Sequence, residues 1–233
     1  MPARTALPLL AVLFLSGCVV ETSGPTQHEQ KTLDLASAET LRASFRMGAG
    51  TLRIDSTSQK VARADFSYNV LSWKPYVRYS AGEGRGDLTI EQPGQSHTHV
   101  GHARYEWDVR LNRDVPLDLR VNFGAGEADL NLSALTLRSV EIDMGVGKLN
   151  LDLRGNPKQS YDVSIRGGVG EATIRLPREV GVSAQAEGGL GEIRVSGLRK
   201  EGNHYYNNAY DRSKTTVHLD VRGGIGAIRL ISD

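Results

Sequence analysis

Apolar and polar residues alternate along most of this chain, and the alternation is broken repeatedly by a Gly-x-Gly triplet. Around Gly124-Ala125-Gly126 the apolar set is Leu117, Leu119, Val121, Phe123 and Ala125, then Ala128, Leu130 and Leu132. Strict alternation marks a strand with one buried face, and here its parity changes after the triplet. The same three-residue step leads from Ala49 to Leu52, Val146 to Leu149, Val169 to Ala172, Leu190 to Ile193 and Ile225 to Ile228. Keeping both halves on one core requires an extra residue at that point. Each triplet is therefore predicted to be a bulge or corner whose middle residue points inward and whose glycines supply backbone angles that other residues resist.

Six triplets share this context: Gly48-Ala49-Gly50, Gly124-Ala125-Gly126, Gly145-Val146-Gly147, Gly168-Val169-Gly170, Gly189-Leu190-Gly191 and Gly224-Ile225-Gly226. The first interval is 76 residues and the others are 21, 23, 21 and 35, the spacing of stacked supersecondary units. The predicted fold class is all-β: a single β-solenoid of strand, corner, strand repeats whose coils pair in parallel. If successive coils are neighbours, Asp143, Arg166, Glu187 and Arg222 form a ladder of alternating sign that fixes register. A phosphate-binding reading of the glycines fails, because such sites need a helix after the loop and every triplet here leads into a second strand.

Several phrases together carry a family resemblance: Trp107-Asp-Val-Arg-Leu-Asn112, Val115-Pro-Leu-Asp-Leu119, Leu176-Pro177 followed by Gly181-Val182, and Gly223-Gly-Ile-Gly226. Residues 33–233 resemble the toast-rack domains of bacterial envelope proteins, related to LiaF-like cell-wall-active-antibiotic response domains and to adhesins with the same repeat. The resemblance implies a β-solenoid-like domain at the envelope, linked in some relatives to sensing of envelope stress. It brings no catalytic residues.

Function is sought where the repeat breaks. Between Ser56 and Val115 the pattern is degenerate, and Gly84-Arg85-Gly86 reads as an incomplete coil or one with its corner turned outward. Arg85-Gly86-Asp87 spells an integrin-type tripeptide, which would need a protruding tip. His97, His99 and His102 form a His-x-His-x-x-His loop with metal-ligating chemistry, lacking a nearby fourth ligand before Glu106. In the 35-residue interval, Tyr205, Tyr206 and Tyr210 lie among asparagines, a composition suited to stacking on sugar rings or capping the core. Trp73, Tyr76 and Tyr79 are expected to pack at the opposite end.

The first residues add an address. Arg4, an apolar run from Ala6 to Leu15 and the small residues Ser16-Gly17 make residues 1–17 a secretion signal, too short to span a bilayer. Leu15-Ser16-Gly17-Cys18 resembles a bacterial lipobox, which implies acylation of Cys18, the single cysteine, and anchorage to a membrane lipid. Val19 after it points by the same resemblance to the outer membrane, if the host has one. The remainder of residues 18–32 is polar and aperiodic and reads as a tether.

Removing the leader with Arg4 equalises basic and acidic residues, from 28 against 27, so nothing favours a nucleic-acid partner. No cofactor motif is present. Asp152, Asp162 and Glu171 are candidate carboxylates only by proximity, and no Gly-x-Ser-x-Gly occurs. The leading reading is a non-enzymatic, lipid-anchored binding or scaffold module, serving envelope-stress sensing or adhesion through an envelope protein or glycan. The alternatives are a surface polysaccharide-active enzyme and a metal-binding lipoprotein using the histidine loop.

Overall fold

A computed structural model describes residues 20–34, 38–59, 61–94, 98–100 and 102–233. Numbered along the chain, its strands are β1 (Val20–Thr22), β2 (Gln27–Asp34), β3 (Thr40–Thr57), β4 (Val61–Tyr68), β5 (Tyr76–Gly82), β6 (Arg85–Glu91), β7 (Thr98–Val100), β8 (Tyr105–Asn112), β9 (Leu117–Asn131), β10 (Leu137–Asp152), β11 (Tyr161–Leu176), β12 (Gly181–Ser196), β13 (Arg199–Glu201), β14 (His204–Tyr206) and β15 (Thr216–Ser232). A short 3-10 turn spans Leu71–Trp73. The domain is the expected all-β solenoid, with thirteen of these strands in one hydrogen-bonded sheet.

Six long strands, β3, β9, β10, β11, β15 and β12 in spatial order, pair in parallel and each contains one Gly-x-Gly triplet. Parallel neighbours must bring the chain back to its starting edge. Yet only residues 132–136 separate β9 from β10, and five residues reach about 18 Å, whereas a straight strand as long as β9 would span about 50 Å. The strand itself must double back, and it does so at the triplet. Each coil is thus a folded strand whose halves face one another across a flat core.

That core is built by the alternating residues. In β9, Leu117, Leu119, Val121 and Phe123 from the first half and Ala128 and Leu130 from the second are all buried. Register stacks each on its equivalent in the next coil: Val121 lies beside Ile142, and Ile142 beside Ile165. In-register columns of this kind bury whole rows of β-branched and aliphatic side chains, which is the main source of stability in a solenoid.

The coils are not in sequence order. β15 enters between β11 and β12, so Arg166 lies beside Arg222 and the predicted alternating ladder is broken by two like charges. Each arginine turns sideways instead: Arg166 to Glu141 and Asp143 at 3.5 and 3.4 Å, and Arg222 to Asp220 at 3.1 Å. Charge pattern could not order these coils because such exposed pairs contribute only about 0–1 kcal/mol.

The degenerate stretch forms an end coil from two pieces. β6 pairs with the first half of β3 and β8 with the second half, so two separate strands stand where each inner coil has one bent strand. Gly84-Arg85-Gly86 is therefore no corner. Glu83 and Gly84, both with positive φ, make the tight turn of the β5–β6 hairpin, and the Arg85 side chain pairs with Asp87 at 3.2 Å. Outside this coil, β4 pairs antiparallel with β8 and β2 with β4. Residues 27–32 of the expected tether are thus part of an edge strand, Gln27–Asp34. Trp73 is buried against Tyr105 with ring centroids 5.6 Å apart and Tyr79 is half-buried, whereas Tyr76 is exposed rather than packed.

Candidate functional site

The corner edge differs from its expected form. The middle residues of the triplets point out, not in: Val146 is 54% exposed, Val169 44%, Ile225 53% and Leu190 72%. The inward positions flanking the bend are Phe123 and Ala128, or Met144 and Leu149, five residues apart. A three-residue step and a five-residue step give the same change of parity, so alternation alone could not tell them apart. At a doubled-back strand the apex residue lies on the convex side, and register aligns Ala49, Ala125, Val146, Val169, Ile225 and Leu190 into one row.

Two columns of glycine flank that row. Gly50, Gly126, Gly147, Gly170, Gly191 and Gly226 all have φ between 123° and 147°. Gly124, Gly145, Gly168, Gly224 and Gly189 have ordinary φ, but a Cβ on any of them would overlap the carbonyl oxygen of the adjacent coil's glycine. Gly48 begins this column. The row is consequently a narrow strip of aliphatic side chains with bare backbone on both sides.

The residue before each triplet divides the coils into two classes. Met47, Phe123 and Met144 fill the inside of the corner in three coils, while Gly167, Gly223 and Gly188 leave it open in the others. An apolar cavity of about 30 Å³ remains there among Met144, Ile165, Gly167, Gly223 and Ile228. The hollow coils carry Val169, Ile225 and Leu190 at the apex, whereas the filled ones carry Ala49, Ala125 and Val146. The contrast between Met-Gly-Ala-Gly and Gly-Gly-Leu-Gly in the sequence carried this signal.

The tyrosine segment forms a second surface feature, its rings half-buried. β13 and β14 make a hairpin whose β14 pairs antiparallel with β12 at Ser183 and Ala184. Tyr206 is stacked with His204, centroids 6.0 Å apart at 14°, and lies 4.5 Å from Tyr210. The Arg199 guanidinium sits 5.6 Å from the Tyr206 ring and is held by Glu201 at 2.7 Å and Asp211 at 2.8 Å. Tyr205 is on the opposite side of the strand, with Lys200 5.6 Å from its ring. Asn207, missed by sequence reasoning, fastens the hairpin: its amide nitrogen donates to the carbonyls of Pro177 and Val180 at 3.0 and 2.7 Å, and its oxygen accepts from the Val182 N–H at 3.0 Å.

The remaining candidates are not brought together among the described residues. Cys18 and His97 lie outside the described residues, and His99 falls in β7. His102 is exposed, and its carbonyl accepts from Ser23 and Asn69 at 3.1 and 2.9 Å. Among the described residues no group of three His, Cys, Asp or Glu is placed to hold a metal, and no helix is long and apolar enough to cross a membrane.

The three carboxylates do not converge. Asp162 is exposed on a first-half strand, while Asp152 and Glu171 occupy second-half strands and pair with Arg154 at 2.7 Å and Arg229 at 3.0 Å. Burial raises the Asp152 pKa, but hydrogen bonds and charge from Arg154 outweigh it and hold the carboxyl below its usual range. Arg229 lowers Glu171 in the same way. Carboxylates held in the ionised form are poorly suited to general-acid chemistry near neutral pH.

Known proteins place this architecture. No curated protein matches the chain. A crystal structure of a "putative cell adhesion protein" from Clostridium sporogenes ATCC 15579 is 35% identical and superposes with a TM-score of 0.87, covering 90% of this chain and 100% of that one. A "putative adhesin" from Bacteroides fragilis NCTC 9343 is 10% identical with a TM-score of 0.34, over 90% of this chain and 99% of that one. The family model described as the N-terminal domain of toast_rack matches residues 22–175. With its bent strands, glycine columns and parallel register, the chain belongs to the toast-rack N-terminal domain family.

Proposed function

We propose that this protein is a non-enzymatic binding module of the bacterial cell envelope, held at a membrane by lipid on Cys18 and active in adhesion. The observation that carries the reading is the 35% identity over nearly the whole fold to the Clostridium protein named for cell adhesion. The fold suits such a role: a stiff stack presents side chains at fixed spacing, and half-buried aromatic groups at its end offer contact area at small entropic cost.

Within this reading, Tyr206, Tyr210 and His204 form the contact surface for an envelope glycan or protein. Their rings make a continuous half-buried platform, with Arg199, Glu201 and Asp211 beside it as hydrogen-bonding groups. Aromatic faces with adjacent polar groups are the usual means of gripping sugar rings and protein surfaces alike.

Two measurements test the proposal. Cys18→Ala should abolish fatty-acid labelling and release the protein from the membrane fraction; undiminished labelling would refute the anchor. Tyr206→Ala with Tyr210→Ala should reduce retention on isolated cell-wall material at least tenfold while leaving the circular dichroism spectrum unchanged. Equal retention of the doubly substituted protein would move the contact surface away from the hairpin.

A further inference from the structure

We propose that the outer edge of β12, from Gly191 to Ser196, is a self-association surface, occupied by the same edge of a second copy in antiparallel register about Ile193. This is independent of the glycan-binding reading and concerns a different part of the terminal coil.

Among the described residues, the stack is covered at one end and open along part of the other. Beyond β3 it is covered by β6 and β8, then by β5, β4 and β2. At the other end, β12 pairs with β15 along its length, and β14 covers it only at Ser183 and Ala184. Among the described residues, no strand lies outside Gly191–Ser196. Backbone donors and acceptors on such an edge are a template for another strand.

The core is also incomplete there. Ile193 and Val195 are in register with Ile228 and Leu230, which are buried, yet both are only half-buried themselves. Leu190 beside them is 72% exposed. One more strand over this edge would cover the inward face as every inner coil covers its neighbour.

Charge selects the occupant. Glu192 and Arg194 project from the outer face, 57% and 64% exposed, and pair with each other at 2.7 Å within the strand. In an antiparallel pair centred on Ile193, Glu192 of each copy faces Arg194 of the other, and Ile193 meets Ile193 on the core side. Centring on Glu192 or on Arg194 would oppose like charges. Shifting by a single residue would turn core-facing positions against outward ones. The edge is therefore complementary to itself in the register centred on Ile193, which sets each Glu192 opposite an Arg194, as a two-fold interface requires. A six-residue edge is a small contact, of the transient class below roughly 1,200 Å².

The experiment uses the full chain with Cys18→Ser, so that native lipid and thiol do not interfere. Sedimentation should show reversible dimers whose fraction rises with concentration. Glu192→Arg alone and Arg194→Glu alone should each reduce dimer formation at least tenfold, since both place like charges opposite one another. An equimolar mixture of the two variants should restore it, because each arginine then faces a glutamate. Glu192→Cys mixed with Arg194→Cys should form mixed disulfides in preference to either homodimer. A chain that stays monomeric at every concentration, dimers indifferent to both reversals, or a mixture that fails to recover association would each overturn the proposal.

Discussion

The side-chain oxygen of Gln92 accepts the backbone N–H of Gly48 at 2.7 Å and that of Ala49 at 3.2 Å. Gln92 directly follows β6 of the end coil, and its amide stands beside Gly48 where inner coils place a neighbouring glycine's carbonyl. One side chain thus terminates a column of backbone contacts that the next coil cannot continue.

Replacing it should matter modestly and selectively. Gln92→Ala leaves two corner N–H groups to water and should lower stability by about 0.5–1.5 kcal/mol. Gln92→Glu retains the acceptor and should stay near the native melting temperature. Thermal unfolding of the two variants side by side checks this, and equal losses would mean that the accepted hydrogen bonds are not what Gln92 contributes.

Two glycines three positions apart should respond in opposite directions. Gly170 has φ of 144°, and a Cβ there would overlap the carbonyl oxygen of Gly147, so Gly170→Ala is expected to cost more than about 4 kcal/mol or prevent folding. At Gly167 the nearest atoms to an added Cβ are 4.0 Å away, in ordinary contact with Met144. Gly167→Ala should stabilise by about 0.4–1 kcal/mol, by restricting the unfolded chain and entering the apolar cavity. Denaturant titration distinguishes the two.

The apex row gives a test of direction. Val146→Asp, at an exposed position, should shift stability by about 0.5 kcal/mol or little more. Val163→Asp, in a side chain 2% exposed, should cost several kcal/mol because an ionised carboxylate would be buried without a partner. A large loss at Val146 would return the apex residues to the interior.

Acid should weaken the fold through Asp65 and Asp152. Burial pushes both pKa values up, but hydrogen bonds from Arg63 and Gln30, and from Arg154, bring the net shift below the usual carboxylate range. A depressed folded-state pKa stabilises above the unfolded-state value and is lost as pH falls through the folded one. Stability should therefore be flat near neutrality and decline below about pH 4. Asp152→Asn should flatten part of that decline, which melting temperatures measured from pH 7 to pH 3 would show.

Much of this molecule was readable from its residues because its core is periodic. Leu117, Leu119, Val121 and Phe123 announced one buried face, and six triplets announced bends. The side of the bend on which Val146 lies was not readable, since parity changes in the same way whether the inward step is three residues or five. Nor was the position of β15, because Arg166 and Arg222 tolerate adjacency by pairing within their own neighbourhoods. The polar run before Asp34 resembled a tether because an exposed edge strand such as β2 needs only backbone hydrogen bonds, and those leave little trace in side-chain pattern. Asn207 lay in plain view among tyrosines and asparagines, but only the path of Pro177–Val182 shows why that one asparagine is buried.

The interleaving of β15 has a bearing on biogenesis. β12 is made before β15, yet in the finished stack it touches β11 only through β15. Growth by adding each new coil to the last one therefore works as far as β11 and then fails. A nascent or translocating chain ending before Thr216 would hold β12 paired only with the short β14 and β11 with an open edge. The final commitment to the native state awaits a strand inserted between two older parts, making the late-emerging segment a keystone rather than a cap.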